Sequence, residues 1–205
     1  MKKYRRIISL SLSLVLFLGG IGIIQNYLDQ NVGFEDESVV KVEENKNTEE
    51  NKAQTVEVLK SPVDENVGIV RYFYNKDDDS SKQEQSLILF EGVYRPNLGI
   101  DYSHSNQPFN VYASISGTVT KKTQDPILGW IVTISNDNGV STTYQALSKV
   151  NVELNKKVNQ GDTIGISGEN IYESDLKNHL HFILEKEGKV FNPENYIGKQ
   201  ISMIK

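Results

Sequence analysis

Two histidines alternate with apolar residues near the carboxyl end of the chain. The run Asn178-His179-Leu180-His181-Phe182 predicts a strand, and because side chains alternate between the two faces of a strand, both imidazoles share one face. Two imidazoles so placed can give one nitrogen to a metal and leave the second free for proton transfer. Taken alone, the spacing favours the simpler alternative, a pair of histidines hydrogen-bonded on a half-exposed sheet.

A second group of candidate residues lies earlier in the chain. The run Tyr94-Arg95-Pro96-Asn97-Leu98-Gly99-Ile100-Asp101 places a carboxylate four residues after an amide, and the third histidine of the chain, His104, follows. An Asp-x-x-His turn can coordinate a metal, which would make His104 a replacement ligand. The Ser, Asn and Gln residues around it favour the alternative, a solvated loop histidine.

These candidates lie in a part of the chain, residues 67–205, that predicts an all-β domain. Short apolar runs rich in Val, Ile, Thr and Tyr alternate with Gly, Asn, Asp and Pro, and no stretch keeps a helical period for three turns. Asp137-Asn138-Gly139 predicts a tight hairpin turn. The predicted strands are Val67–Tyr74, Ser86–Glu91, Ser116–Lys121, Gly129–Ser135, Val140–Tyr144, Thr163–Ser167 and His179–Leu184.

The amino-terminal segment predicts a membrane anchor. Four cations within residues 1–6 precede an uncharged run, 7–24, whose 18 residues would span about 27 Å as a helix. Basic residues stay on the cytoplasmic side, so residues 1–6 are expected to form a cytoplasmic tail and the rest of the chain to face outward. The alternative is a cleaved secretory signal, but no small-residue cleavage site follows the run.

Residues 25–66 predict a flexible, acidic stalk. From Asp29 to Asn66 the sequence has 11 acidic and 4 basic residues and few apolar ones. Such a segment buries too little apolar area to offset its conformational entropy. The alternative is an acidic interaction tail.

Composition excludes several classes of function. The chain of 205 residues contains no cysteine, which rules out disulfides, thiolate metal sites and thiol nucleophiles. The net charge is −5, and no stretch interleaves lysines with aromatic residues, so nucleic acid is not an expected partner.

Five separated motifs resemble, in their order, the LytM or lysostaphin-like zinc endopeptidases. They are Tyr94–Tyr102, Val111–Val119, Tyr144-Gln145-Ala146-Leu147, Asp162–Gly168 and His179-Leu180-His181-Phe182. The resemblance covers about residues 90–195 and implies a LytM-like (duplicated hybrid motif) β-sandwich or barrel with an open groove.

The resemblance also implies a degenerate site. It assigns the metal to the positions of Asn97, Asp101 and His181, and catalysis to those of Ala146 and His179. An amide is a poor substitute for imidazole at the first position, and a methyl group cannot transfer a proton. We therefore expect no catalytic set and no cofactor, with weak zinc binding left open at the vestigial Asp101 and His181.

A narrower resemblance extends over nearly the whole chain. The anchor, the stalk, Tyr-Arg-Pro-Asn at 94–97 and Asn192-Pro193-Glu194-Asn195-Tyr196 are similar to a family of membrane-anchored sporulation proteins of endospore-forming Firmicutes. The similarity implies an anchor in the forespore membrane and a domain in the space between forespore and mother cell. The implied partner is the ectodomain of stage III sporulation protein AH, bound within a multimeric ring or channel during engulfment.

Three functions follow as hypotheses. The first is a catalytically inactive interaction protein that binds its partner by adding a strand to an exposed edge, with Gly117–Lys122 and Gly129–Ser135 as candidate edges. The second is a zinc-dependent peptidoglycan endopeptidase. The third is an inactive LytM-like regulator of another wall hydrolase.

Overall fold

Antiparallel strands make up most of the structure. The computed structural model describes residues 57–205. Its strands are β1 (Gly68–Arg71), β2 (Leu87–Phe90), β3 (Val93–Pro96), β4 (Ile100–Ser103), β5 (Asn110–Tyr112), β6 (Gly117–Asp125), β7 (Gly129–Ser135), β8 (Val140–Val150), β9 (Lys157–Val158), β10 (Thr163–Ser167), β11 (Leu180–Lys186) and β12 (Lys189–Phe191). A short helix, α1 (Ser80–Gln85), and three 3₁₀ turns, Ser174–Leu176, Pro193–Asn195 and Ile201–Met203, complete this part of the chain.

Ten of these strands form one sheet. Its main path runs β1-β4-β11-β8-β7-β6-β9, while β10 pairs with β5 and β8, and β12 pairs with β11. The remaining strands, β2 and β3, form a separate hairpin. The pairing places β4 directly beside β11, so the two candidate motifs of the sequence meet side by side.

The core lies under β8 and β11. Alternate residues of the two strands point inward, and Tyr144, Leu180, Phe182 and Leu184 are fully buried. Tyr144 and Phe182 are opposite each other in the β8–β11 register, with ring centroids 5.4 Å apart. This alternation is the one predicted for the His-x-His strand, because Leu180 and Phe182 lie in the core and His181 faces the other side.

The predicted strands are all present, but only β7 and β10 have the predicted bounds, and β1 and β2 are shorter than predicted. β6 and β8 extend several residues beyond their predicted ends, and the predicted turn at residues 137–139 is a hairpin in which the Asn136 N–H donates to the Val140 carbonyl. Five short strands, β3, β4, β5, β9 and β12, were not predicted. The all-β class is confirmed.

The folded domain begins before residue 67, the predicted boundary. Leu59 is fully buried and Val63 is buried, and both belong to the core. The Leu59 N–H donates to the Lys199 carbonyl and the Gly198 N–H donates to the Leu59 carbonyl. The last part of the predicted stalk is therefore part of the domain, because apolar residues hidden among its charges pack on the carboxyl-terminal segment.

The predicted cytoplasmic tail, the anchor and residues 25–56 of the stalk lie outside the described residues. Within residues 57–205, no helix has the length and apolarity needed to span a membrane.

Only one of the two candidate edges is an edge. β7 pairs with β6 on one side and β8 on the other, so the prediction that Gly129–Ser135 offers a free edge is wrong. The sequence of β7 resembles that of an edge strand because polar and apolar residues alternate in it. They alternate because one face of the strand is only partly buried. β6 does have a free edge. Strand β9 pairs with it only at Gly117 and Thr118, and among the described residues no strand covers the outer side of residues 120–125.

Candidate functional site

Asp101 and His181 face each other across the β4–β11 pair. The two residues are register partners, and His181 Nδ1 lies 2.7 Å from Asp101 Oδ1. Gly99 permits this approach, since a Cβ on it would lie only 2.5 Å from the Phe182 carbonyl oxygen and 3.0 Å from the His181 ring. The loop between β3 and β4 can thus pass directly over the imidazole.

Asn97 joins the same site, with its side chain fully buried. Its amide nitrogen donates to Asp101 Oδ2 at 2.9 Å and to the Tyr72 carbonyl at 3.1 Å, and its oxygen accepts from the Gly99 N–H at 3.1 Å. The structure therefore brings together the three positions that the family resemblance assigns to a metal. At the position where the resemblance implies a ligand to the metal, however, Asn97 donates a hydrogen bond to Asp101.

Arg71 and Glu173, which the sequence analysis did not single out, complete the site. Both are buried, and Arg71 Nη1 lies 3.4 Å from Glu173 Oε1 and 4.0 Å from Asp101 Oδ2. The second guanidinium nitrogen of Arg71, Nη2, donates to Asp175. The guanidinium is therefore held between the two buried carboxylates and a third at the surface.

Glu173 also contacts both histidines of the His-x-His motif. Its Oε1 lies 3.4 Å from His181 Nδ1, and its Oε2 lies 3.4 Å from His179 Nε2. The Asn170 amide nitrogen donates to the same Oε2, and the Glu173 N–H donates to the Asn170 side chain. We call Arg71, Asp101, Glu173, His179 and His181 the ion cluster.

The strand pattern did not point to Arg71. A bulge in β1 separates Ile69, which lies opposite the core residue Tyr102, from Arg71, which lies opposite Asp101. Arg71 therefore faces the Asp101 side of the strand, where a buried charge needs a partner. Glu173 carried no signal either, because it lies in Glu169-Asn-Ile-Tyr-Glu-Ser-Asp175, a stretch typical of a solvated loop.

Both histidines of the motif are buried, so the expectation of a half-exposed pair is wrong. His179 is fully buried, and its Nδ1 lies 2.8 Å from the Lys177 carbonyl. The residues that cover the pair come from β1 and the 170–176 segment, which contribute Arg71 and Glu173. A strand pattern cannot show which distant segments will cover a face.

The buried charges shift one another's protonation. Burial alone lowers the pKa of His181, but the Asp101 and Glu173 carboxylates outweigh it and raise that pKa to about 10. Burial raises the pKa of Glu173, but the imidazoles of His181 and His179 outweigh it and leave that pKa below its usual value. Burial also raises the pKa of Asp101, which His181 opposes. The proton on His181 and the Arg71 guanidinium together allow two carboxylates to be buried side by side.

The residues do not fit the zinc ion that the fold family implies. Zinc needs free, deprotonated ligands, whereas both oxygens of Asp101 are already engaged, Oδ2 by the Asn97 amide and Oδ1 by the His181 ring. A divalent ion among the carboxylates would also lie within about 4 Å of the Arg71 guanidinium, at a repulsion on the order of 8 kcal/mol for an effective dielectric constant of 20. Within the ion cluster, the Arg71 guanidinium already supplies positive charge to the two buried carboxylates.

Ala146 and His104 lie outside the ion cluster. Ala146 is fully buried in β8 with φ +60°, and its N–H donates to the Leu128 carbonyl. Its methyl group carries no proton to transfer. His104 lies instead beside Asn66, with Nδ1 3.0 Å from the Asn66 carbonyl, and it lines a different cavity. The structure therefore does not bring His104 to Asp101 as a replacement ligand.

An apolar groove opens beside the ion cluster. His181 and Gln145, which are register partners, form part of its floor, and its cavity volume is about 420 Å³. Its walls come from the β2–β3 hairpin and the loop after it, the turn after β6 and the 170–176 segment, and their apolar residues are Ile88, Phe90, Leu98, Ile127, Leu128 and Tyr172. The groove has apolar walls suited to an extended ligand.

The shifted pKa values predict that stability decreases at alkaline pH. The folded-state pKa of His181 is raised from 6.5 to about 10, so its contribution is complete below pH 6.5 and is lost as the pH rises toward 10. The pKa of Glu173 is lowered from 4.5, so its contribution is complete above pH 4.5 and is lost as the pH falls below that value. The raised pKa of Asp101 acts in the opposite sense to that of Glu173, because its contribution is lost as the pH rises above 3.8. The decrease in the free energy of unfolding, measured with urea, is therefore expected most clearly between pH 6.5 and 10, where His181 loses its proton.

The His181→Gln variant is the control for the alkaline side. It lacks the titrating imidazole, so its stability should fall less steeply than that of the wild type between pH 6.5 and 10. An identical slope in both proteins would contradict the assignment.

The chain is similar to peptidases and to sporulation proteins. Residues 95–193 match Peptidase family M23. Stage II sporulation protein Q of Bacillus subtilis (strain 168) is 42% identical over 141 residues, which are 68% of this chain and 50% of that protein. The match thus spans about half the length of this curated relative.

Two solved structures are similar over almost their whole length. A chain in the structure of the SpoIIQ–SpoIIIAH pore-forming complex is 40% identical, with a TM-score of 0.71, and the match covers 73% of this chain and 97% of that one. A chain in a crystal structure of a SpoIIIAH and SpoIIQ complex is 42% identical, with a TM-score of 0.64, and the match covers 66% of this chain and 96% of that one.

Proposed function

Because this chain belongs to the stage II sporulation protein Q family, whose folded domain is of the M23 peptidase type, we propose that it is a non-catalytic binding protein of sporulation. The observation that carries the proposal is the ion cluster. Arg71 and the protonated His181 neutralise Asp101 and Glu173 where a peptidase of this fold would hold its metal. A domain arranged in this way retains the groove and the sheet of a peptidase without the means to activate water.

The proposed partner is the ectodomain of stage III sporulation protein AH. The solved relatives that match over 96–97% of their length are described as parts of complexes with that protein. Conservation of the whole domain at 40–42% identity supports a shared binding surface. We place the chain in the forespore membrane through residues 7–24, with its domain in the space between forespore and mother cell, as part of a ring or channel.

The outer side of β6 is the proposed surface for strand addition. The backbone groups of residues 120–125 that point away from β7 pair with no strand in the described part of the chain. Thr120, Lys121, Thr123 and Gln124 are exposed. A strand of the partner can extend the sheet here through main-chain hydrogen bonds, which require no catalytic group.

Capture from sporulating cells tests the proposal. The tagged full chain is expected to retain stage III sporulation protein AH and to release no fragments from purified peptidoglycan. Metal analysis of the same sample should find much less than one zinc per chain. Peptidoglycan cleavage accompanied by one zinc per chain would instead establish the endopeptidase, and capture of a wall amidase without the ring protein would establish a regulator.

A further inference from the structure

Four lysines lie along or beside the free edge of β6, and we call this set the lysine edge: Lys121, Lys122, Lys156 and Lys157. Lys157 is the register partner of Thr118, and the Val119 N–H donates to the Lys156 carbonyl. The segment that holds these two lysines therefore covers the start of β6 and ends where the unpaired residues 120–125 begin. A strand added there would have two lysines along its length and two near one end.

The charge of the lysine edge is only partly compensated. Three of its lysines, all except Lys122, are exposed, and in the described part of the chain none of those three forms a salt bridge. Lys122 Nζ lies 3.1 Å from Glu153 Oε1, but the Glu153 side chain is 75% exposed, so this pair is weak. The Asp125 carboxylate accepts from two N–H groups of its own turn. Because the domain has more acidic than basic residues, the lysine edge is a local reversal of its charge.

A basic edge discriminates among the strands that can pair with it. Side chains directly opposite each other in an antiparallel pair lie about 5 Å apart, and like charges at that distance repel. A second copy of β6 would bring its own lysines, so it is a poor match. A strand with carboxylates opposite Lys121 and Lys122 gains attraction from the side chains, while its main chain pairs with the free N–H and C=O groups of β6.

We propose that the lysine edge selects a strand rich in Asp and Glu as the one that extends β6. The inference rests on the proposed function and deepens it by naming the chemistry of the partner strand. Opposite charges on two surfaces speed their encounter and disfavour partners of the wrong sign. Since these lysines are exposed, salt screens the effect.

The test uses two variants that lose the same amount of charge. The edge variant combines Lys121→Gln, Lys156→Gln and Lys157→Gln. The control variant combines Lys76→Gln, Lys177→Gln and Lys189→Gln. The control lysines are also exposed, and none lies in a strand that pairs with β6. All six substitutions are at the surface, so both variants should keep the circular dichroism spectrum of the wild type.

The first measurement is the rate at which the full chain, in a nonionic detergent, associates with the ectodomain of stage III sporulation protein AH. The edge variant should associate about 10-fold more slowly than the wild type at about 50 mM salt, and within about 2-fold of it at about 500 mM. The control variant should match the wild type within about 2-fold at both salt concentrations. Equal rates for the edge variant and the wild type at low salt would overturn the proposal.

Lysines that serve only to prevent self-pairing give a different result. In that case the edge variant would form dimers or larger species in analytical ultracentrifugation, and its association with the ectodomain would be as fast as that of the wild type. This combination would also overturn the proposal.

Synthetic peptides test the inference without the ectodomain. Alternating Thr-Glu and Thr-Lys peptides of equal length are added at millimolar concentration to the full chain, and amide hydrogen exchange is measured at residues 120–125. The Thr-Glu peptide should slow this exchange at least about 3-fold through strand pairing, and the Thr-Lys peptide should not. Inorganic polyphosphate, an anion without N–H donors, should leave the exchange unchanged.

These results separate the inference from the proposed function. Protection by the Thr-Glu peptide in a chain that does not bind the ectodomain would uphold the acidic strand and reject the proposed partner. Protection by polyphosphate equal to that by the Thr-Glu peptide would show a general anion-binding surface and overturn the inference. So would equal protection, or none, by the two peptides.

Discussion

The Glu173→Gln variant is expected to lose about 3–5 kcal/mol of unfolding free energy, the typical cost of removing one partner from a buried ion pair. Glu173 is fully buried and contacts Arg71, His179 and His181. Its removal leaves the Arg71 guanidinium without its nearest buried carboxylate. For a domain of this size the loss corresponds to a decrease of roughly 6–20 °C in melting temperature. Urea unfolding at pH 6 measures it.

Two further variants separate the buried charge from simple loss of contacts. Asp175→Asn also removes a carboxylate from Arg71, but the Asp175 side chain is 61% exposed, so its effect should stay below about 1 kcal/mol. Arg71→Met combined with Glu173→Gln removes both charges and should be more stable than Glu173→Gln alone. A double variant as unstable as the sum of the two single variants would show that no coupling exists between these groups.

The second large effect is expected at the outer edge of β6. Thr123 and Gln124 are adjacent in its regular part, where they pair with Ile131 and Trp130. Because N–H directions alternate along a strand, one of the two donates toward β7 and the other points outward. Proline at the outward position should leave the fold intact and weaken partner binding by about 100-fold, through the loss of several main-chain hydrogen bonds of about 1 kcal/mol each.

Alanine at the same two positions is the matched control. Thr123→Ala and Gln124→Ala keep their N–H groups, so we expect partner affinity within about 3-fold of the wild type if main-chain pairing dominates. Proline at the inward position should lower the free energy of unfolding instead. Unchanged partner affinity in a folded chain with proline at the outward position would exclude β6 as the binding edge. Isothermal titration with the partner ectodomain gives the affinities.

Much of the fold could be predicted because its long strands alternate strongly. In β11 the inward residues Leu180, Phe182 and Leu184 are large and apolar, and in β8 Val140 and Tyr144 alternate with half-buried residues, so the period of two is visible without any knowledge of the neighbours. The strands that were missed are short, and β4 follows Pro96-Asn97-Leu98-Gly99, whose residues are typical of turns. Its strand conformation depends on pairing with β1 and β11, which no local pattern contains.

The candidate site could be predicted only in part, for a related reason. Asp101 and His181 follow from the resemblance, and the structure joins them. Arg71 and Glu173 are separated by 102 positions in sequence, and the sheet order β1-β4-β11 places the Arg71 side chain beside Asp101, where the 170–176 segment brings Glu173 to it. The bulge between Ile69 and Arg71 turns Arg71 to that side, which no alternation in the sequence shows. The identity of its partner depends on the tertiary fold.

The affinity of the metal-stripped chain for the partner ectodomain tests the central claim most directly. The chain is dialysed against a chelator and titrated with the ectodomain of stage III sporulation protein AH, and the titration is repeated in excess zinc. If the ion cluster replaces the metal, the two dissociation constants should agree within about 2-fold, with no peptidoglycan cleavage in either sample. Binding or cleavage that appears only with zinc would contradict the account.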